Sequence, residues 1–337
     1  MRIGSLCSGI GGLELGLERA GLGTTAWQCE YDPHASEVLA RHWDVPNYHD
    51  LKQVEWDDVE PVDVICAGYP CQPFSTAGRR QGTEDDRHLW PAVRDAVGVL
   101  GPRLVVLENV RGHLSLGFPE VLGDLADLGF DAGWCLLRAS DVGAPHQRAR
   151  LFVAAYARGP GAGRDSGGLA GTSGAEGFGP VDSGAPGLYR PASPDAQDER
   201  GERDGRPRDG RTGSENASRP APADTDTDTD TEHHSEPRPG WVHERQPRMD
   251  LGGRVLDWGP YRPAIERWEA IHGPAPAPTT DGRLSPDFVC WMQGFPAGWV
   301  DGLTRTAALR CLGNAVVPQV AERFGRMVLS KTMAVAA

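Results

Sequence analysis

No apolar run in this 337-residue sequence is long enough to cross a bilayer, and no Cys-x-x-Cys pair or Cys/His ligand spacing appears. Membrane-spanning and structural-zinc classes are therefore set aside, and no metal is expected. Cysteine is sparse and odd in number: Cys7, Cys29, Cys66, Cys71, Cys135, Cys290 and Cys311 make seven. That count gives no disulfide framework. An apolar leader is missing as well, because Arg2 and Gly4 stand where it would begin. Free thiols in a reducing, cytoplasmic setting are the expectation. Cations are outnumbered, with 34 Lys and Arg against 47 Asp and Glu and a net charge of −13. A generally basic binder of nucleic acid is thereby disfavoured, while a locally basic cleft on an acidic protein is still allowed.

What is present falls into segments. Residues 1–156 alternate short apolar runs with helical patterns, which predicts a doubly wound α/β sheet. Arg2–Leu6, Thr24–Cys29, Val62–Ala67, Leu104–Leu107 and Leu151–Ala155 read as strands. Apolar runs this short and continuous fit strands covered on both faces of a mostly parallel sheet. Leu13, Leu17 and Ala20 recur at helical spacing, and Pro33–His42, 88–100 and 117–129 are further helices. Residues 157–240 are dominated by Gly, Pro, Ser, Asp and Arg and end in an Asp-Thr repeat. So few apolar residues cannot offset chain entropy, and a disordered insert is expected there. Aromatic residues return at 241–282, and 283–337 closes the chain with a turn and an amphipathic helix. The aromatics Trp241, Trp258, Tyr261, Trp268, Trp291, Phe295 and Trp299 serve either a core or a base-stacking surface, with a core favoured.

Four segments carry chemistry. Ser8-Gly9-Ile10-Gly11-Gly12 lies between a strand and a helix, and about 20 residues later Glu30 ends the second strand. Glycines let a ligand approach the backbone, the helix start attracts negative charge, and a strand-end carboxylate accepts ribose hydroxyls. The pattern fits a nucleoside cofactor site, or else an ordinary tight strand-to-helix turn. In Gly68-Tyr69-Pro70-Cys71-Gln72-Pro73-Phe74-Ser75 a strand delivers a thiol to its C-terminal edge between two restrictive prolines. A thiolate there is a nucleophile. Glu108-Asn109-Val110 ends the next apolar strand. A carboxylic acid at that edge can donate to a ring nitrogen, or it can merely cap a helix. In Gln147-Arg148-Ala149-Arg150 two arginines at i and i+2 on an extended segment share a face, where they bind phosphate or carbonyl and position Glu108, or remain solvated.

Together, and in this order, these segments resemble the DNA cytosine-5 methyltransferase family. Met292-Gln293-Gly294-Phe295-Pro296 and Gly313-Asn314-Ala315-Val316-Val317-Pro318 extend the resemblance, which covers 1–156 and 283–330. It implies a Rossmann-like S-adenosylmethionine-dependent methyltransferase sheet with a second, smaller target-recognition domain. It implies a bacterial or phage-encoded enzyme that methylates C5 of a flipped cytosine in duplex DNA. The cognate restriction endonuclease would be a separate chain, and the protein a monomer free of membrane. Cys71, Glu108, Arg150 and Arg148 would be catalytic. S-adenosylmethionine would lie among Cys7, Gly9, Ile10, Gly11, Gly12, Glu30, Tyr31, Asp50, Tyr69, Pro70, Asn314 and Val316. Gln72, Ser75, Arg79, Arg80 and Arg148 would meet DNA, Arg148 at the backbone. Ser5 and Cys7 stand where the family has Asp and Phe, which reshapes cofactor contacts. Transfer RNA as substrate, a catalytically inactive DNA binder and an NAD-dependent oxidoreductase are the rival readings, and the last leaves the Pro-Cys-Gln loop unexplained.

Overall fold

In the computed structural model, residues 1–70, 89–158 and 257–336 are described. Alternation of strand and helix builds a six-stranded sheet of order β2-β1-β3-β4-β6-β5. Its first four strands in chain order are β1 (Arg2–Leu6), β2 (Thr24–Cys29), β3 (Val64–Ala67) and β4 (Leu104–Val110). They pair in parallel. The helices between them are α1 (Gly12–Arg19), α2 (Pro33–His42) and α3 (Trp90–Leu100). The chain continues through α4 (Phe118–Asp127), β5 (Phe130–Leu137) and β6 (Arg150–Ala157). β6 runs antiparallel to both β4 and β5. The expected strands are all present; β5 was not foreseen, and it completes an edge where the pairing stops being parallel.

Side-chain alternation divides the core between the two faces. Val64 and Cys66 of β3, with Leu104 and Val106 of β4, pack towards Leu13, Leu17 and the C-terminal helix residues Phe324 and Val328. Ile65, Ala67, Val105 and Leu107 face the other way, onto Val93 and Val97 of α3 and Val121 and Leu125 of α4. A third cluster joins Ile10 and Val38 to Phe295, Trp299 and Leu312.

The last part of the chain folds back on this sheet. α5 (Arg262–His272) is followed by a two-residue hairpin of β7 (Thr279–Thr280) and β8 (Arg283–Leu284), then by α6 (Pro286–Met292), α7 (Arg305–Asn314) and α8 (Pro318–Ala336). Ser285 as N-cap with Pro286 in the first turn starts α6, and Thr304 as N-cap starts α7. The expected turn plus amphipathic helix is thus α8, preceded by the unforeseen α7. α1 and α8 approach closely enough that a Cβ on Gly16 would sit 2.4 Å from both Ala321 Cβ and the Pro318 carbonyl. The aromatics are mainly core, as expected: Trp268, Trp291, Phe295 and Trp299 are buried, whereas Tyr261 is exposed. Trp241 lies outside the described residues. No helix among the described residues is long and apolar enough to cross a membrane.

Candidate active site

The C-terminal ends of β1, β2, β3 and β4 converge, and the chemistry-bearing segments follow each of them. After β1 the backbone enters the left-handed region at Cys7, Gly9 and Gly11, with φ of 53°, 56° and 83°. This reverses the chain into α1 and leaves open space at Gly9, where a Cβ would meet nothing within 4 Å. After β2, Glu30 closes over the turn. Its Oε2 accepts the Gly9 N–H at 2.7 Å and its Oε1 accepts the Asp32 N–H at 2.8 Å. Burial raises its pKa, against the pull of those two donors. Each carboxylate oxygen keeps a further lone pair for a vicinal diol. Tyr31 beside it is 77% exposed, a free ring next to that carboxylate.

The other expected cofactor residues divide. Gly12 packs against the Val316 carbonyl, and Val316 Cγ2 stands 4.0 Å from where a Cβ on Gly68 would be. So the returning turn 314–316 does meet the glycine-rich turn, with Asn314 exposed beside it. Ile10 is buried in the third cluster, and its carbonyl accepts from Trp299 Nε1 at 2.9 Å. The Asp50 carboxylate holds a local turn, accepting from Lys52 N–H at 3.0 Å and Gln53 Nε2 at 2.7 Å. Cys7 is half-buried, and its thiol is pushed far up by burial and then by Glu30. Tyr69 points into the core, its hydroxyl 2.9 Å from His113 Nε2, while Pro70 is exposed. An open turn, a half-buried carboxylate with lone pairs to spare and an exposed aromatic ring could hold a nucleoside.

β3 and β4 are neighbours, and this brings Glu108 to the sheet edge beside Gly68. A Cβ on Gly68 would lie 3.7 Å from Glu108 Oε2. Glu108 is 8% exposed. Its Oε1 pairs with Arg150 Nε at 3.2 Å, presented by the antiparallel β6. Burial raises the Glu108 pKa, and Arg150 and then Arg148 oppose the rise. The carboxyl can thus hold a proton above the ordinary carboxylate range while its position is set by a cation. Cys71, Gln72, Ser75, Arg79 and Arg80 lie outside the described residues. Gly68, three positions before Cys71, is the point from which that loop departs.

The two arginines take different hydrogen-bond partners, although both charges act on Glu108. β6 begins only at Arg150, and Arg148 has φ 40°, so the backbone at Arg148 is not extended. Its Nη2 donates to the carbonyls of Gly313 and Ala315 at 2.7 and 2.8 Å.

Sequence reasoning missed Asn109, whose Nδ2 donates to the Tyr69 carbonyl at 3.1 Å while its Oδ1 accepts the Val110 N–H. A polar residue on the strand face that otherwise buries Val105 and Leu107 was the signal available. It also missed Glu14, which is fully buried and accepts from Ser5 Oγ, with Ser8 Oγ donating to Ser5 Oγ at 2.8 Å. Burial raises its pKa to about 7. Ser5, where the family has Asp, is the hydroxyl that this carboxyl needs.

Residues 1–162 match the family described as C-5 cytosine-specific DNA methylase. The type II methyltransferase M.NgoMIV of Neisseria gonorrhoeae is 36% identical over 157 residues, covering 44% of this chain and 50% of that protein. The type II methyltransferase M.NaeI of Lentzea aerocolonigenes is 35% identical over 170 residues, 46% of this chain and 40% of that one. The chain spans about half the length of the curated relatives it matches. The S. pombe Dnmt2 methyltransferase structure has a TM-score of 0.55 over 98% of this chain and 99% of its own, at 15% identity, a likeness of fold. The fold is thus a Rossmann-like mixed α/β sheet shared with that structure. Over residues 1–162 the chain is thus similar to C-5 cytosine-specific DNA methylases, the family that the ordered motifs of that segment resemble.

Proposed function

We propose that this protein transfers a methyl group from S-adenosylmethionine to C5 of a cytosine within a specific duplex DNA sequence. The observation that carries the reading is the Glu108–Arg150 pair. It sets a buried carboxyl, its pKa raised by burial, at the sheet edge beside Gly68 and near the turn that Glu30 closes. A target cytosine stacked in a duplex must leave the helix to reach this edge. The Cys71 thiolate adds to C6 of the flipped ring. Glu108 holds N3 and the exocyclic amine and gives N3 the proton, so that the displaced electron pair resides as an enamine. Arg150 orients Glu108 and meets the cytosine O2. S-adenosylmethionine, when bound, supplies an electrophilic methyl carbon to C5. Loss of the C5 proton and expulsion of the Cys71 thiolate then restore the ring.

Glu30 receives the ribose hydroxyls, Tyr31 lies against the adenine, and Asp50 reaches the adenine edge. Gly9, Gly11 and Gly12 give the cofactor backbone access, and Asn314 and Val316 form the facing wall. Gln72, Ser75, Arg79 and Arg80 meet DNA, and 241–282 is the remainder of the target-recognition region. The protein acts as a cytoplasmic monomer of bacterial or phage origin, in the setting of type II modification with a separate endonuclease.

Purified chain is incubated with S-adenosylmethionine and cytosine-containing duplex DNA, the nucleosides are analysed for 5-methylcytosine, and bisulfite sequencing reports the context. Methyl transfer to DNA that disappears in Cys71→Ala, with S-adenosylmethionine still bound, is the expected result. Label appearing in transfer RNA and not in DNA would overturn the substrate. Turnover retained in Cys71→Ala would overturn the nucleophile.

A further inference from the structure

We propose that Arg148 is a positioning residue: it caps α7 and fixes the 314–316 turn against the glycine-rich turn, and it does not bind a DNA phosphate. The inference rests on the methyltransferase reading above and deepens it at the cofactor side of the site.

Gly313 belongs to the last turn of α7, where helix carbonyls have no intrahelical donor and the dipole is negative. The guanidinium of Arg148, coming from a segment 165 residues earlier in the chain, donates to that carbonyl. The same nitrogen donates to Ala315, the first residue past the helix, where the backbone turns extended at φ −69° and ψ 148°. One cation therefore sets both the end of α7 and the direction in which the chain leaves it. The next residue is Val316. Its carbonyl lies against Gly12, 2.1 Å from where a Cβ would stand, and its side chain faces Gly68. Cofactor wall, glycine-rich turn and strand β3 thus meet at a turn whose placement Arg148 controls.

Neighbouring contacts act in the same sense. His146 Nε2 lies 2.9 Å from the Met292 carbonyl, and Gln319 Nε2 donates to the Gly294 carbonyl at 2.7 Å. Residues 146, 148 and 150 consequently reach the C-terminal segment twice and Glu108 once. The left-handed φ of Arg148 is unfavourable for a residue with a side chain, and such conformations persist where the surroundings require them. A phosphate contact is poorly supported by this geometry. Nη2 is committed to two carbonyls, and Nε is buried without a hydrogen-bond partner among the described residues. Burial, and then Arg150, draw the guanidinium pKa of this half-buried residue down to about 10.

The test compares the full-length wild type with Arg148→Ala, Arg148→Lys and Arg148→Gly. Glycine accepts the positive φ, so it removes the clasp without straining the backbone. Two quantities are measured: the S-adenosylmethionine dissociation constant by calorimetry without DNA, and the slope of log affinity for duplex DNA against log salt. Loss of two charge-assisted hydrogen bonds should weaken cofactor binding by about tenfold or more in the alanine and glycine chains. Lysine, which brings an ammonium to the same carbonyls, should recover part of it, and the salt slope should stay at the wild-type value. Wild-type cofactor affinity in the alanine and glycine chains overturns the proposal. A salt slope shallower by about 0.9 also overturns it, because that is the signature of one lost phosphate contact. Should the alanine chain fail to fold, the glycine and lysine chains decide. Wild type that binds no S-adenosylmethionine would instead sink the methyltransferase reading itself.

Discussion

Gly12→Ala isolates the steric demand at the centre of the site. Gly12 is the first residue of α1, where alanine is intrinsically the better helix former by up to about 1 kcal/mol. Propensity alone would make the variant more stable. The new Cβ, however, would stand 2.1 Å from the Val316 carbonyl oxygen and 3.0 Å from the Phe295 ring. Reaching van der Waals separation requires the turn to retreat by roughly 1 Å or more. The carbonyl cannot swing away freely, because Arg148 holds the preceding residue and α8 starts two residues later. Overpacking of this kind costs about 1–3 kcal/mol, so a net destabilisation of about 1–2 kcal/mol is expected. In the proposed function the displaced turn lines the cofactor site, so S-adenosylmethionine affinity should fall by about tenfold or more. Gly16→Ala is the control. Its Cβ would meet Ala321 Cβ and the Pro318 carbonyl at 2.4 Å, a clash of similar severity one helical turn away from the site. That variant should lose comparable stability and keep cofactor affinity. Urea denaturation of the ligand-free chains gives the first quantity, and calorimetric titration with S-adenosylmethionine gives the second. If Gly12→Ala matches wild type in both, the close approach of Val316 to the glycine-rich turn is not a constraint, and the argument fails.

Other consequences follow from the buried polar groups. Glu14 keeps its proton in the folded chain up to about pH 7, whereas the unfolded chain ionises it near 4.5. Its effect on stability is therefore most favourable below about pH 4.5, declines as pH rises to 7 by on the order of 3 kcal/mol, and is constant above. Glu14→Gln should flatten that decline in urea titrations at pH 5 and pH 8, and an unchanged difference between the two pH values would count against it. Glu108→Gln should slow methyl transfer by about a hundredfold or more with cofactor affinity intact, read by single-turnover label incorporation. In wild type the protonated carboxyl is required, so single-turnover rates should drop as pH rises through its elevated pKa. Arg150→Met removes the cation that opposes that elevation, and the drop should then begin at higher pH. Asn109→Ala removes the hydrogen bond to the Tyr69 carbonyl and should cost about 0.5–1.5 kcal/mol of stability in chemical denaturation. A neutral result there would mean that water replaces the amide.

Much of the sheet is legible because its strands are short apolar runs between turn residues, a pattern that burial on both faces imposes. Val64–Ala67 and Leu104–Val110 emerge near the expected bounds for that reason. β5 escaped because Asp131, Gly133 and Cys135 interrupt an edge strand that is buried only in part. α7 escaped because its signal is a Thr304 cap followed by small residues, with little apolar periodicity. The juxtaposition of Glu108 with Arg150 was readable, since strand-end residues of neighbouring strands must share an edge. The side chain of Arg148 was not. Spacing of i and i+2 aligns two residues only while the backbone between them is extended, and with a left-handed φ at position 148 the guanidinium reaches the carbonyls of residues 313 and 315. No local pattern announces that φ, because its cause is nonlocal: the carbonyls that reward it belong to residues 313 and 315. The same holds for Asn109 and His113, whose roles arise only when β4 and its following turn meet Tyr69. Chemistry that resides in residue type was therefore visible in the chain, whereas chemistry that resides in orientation became visible only once distant carbonyls were in place. In this molecule the second kind governs how firmly the 314–316 turn is held.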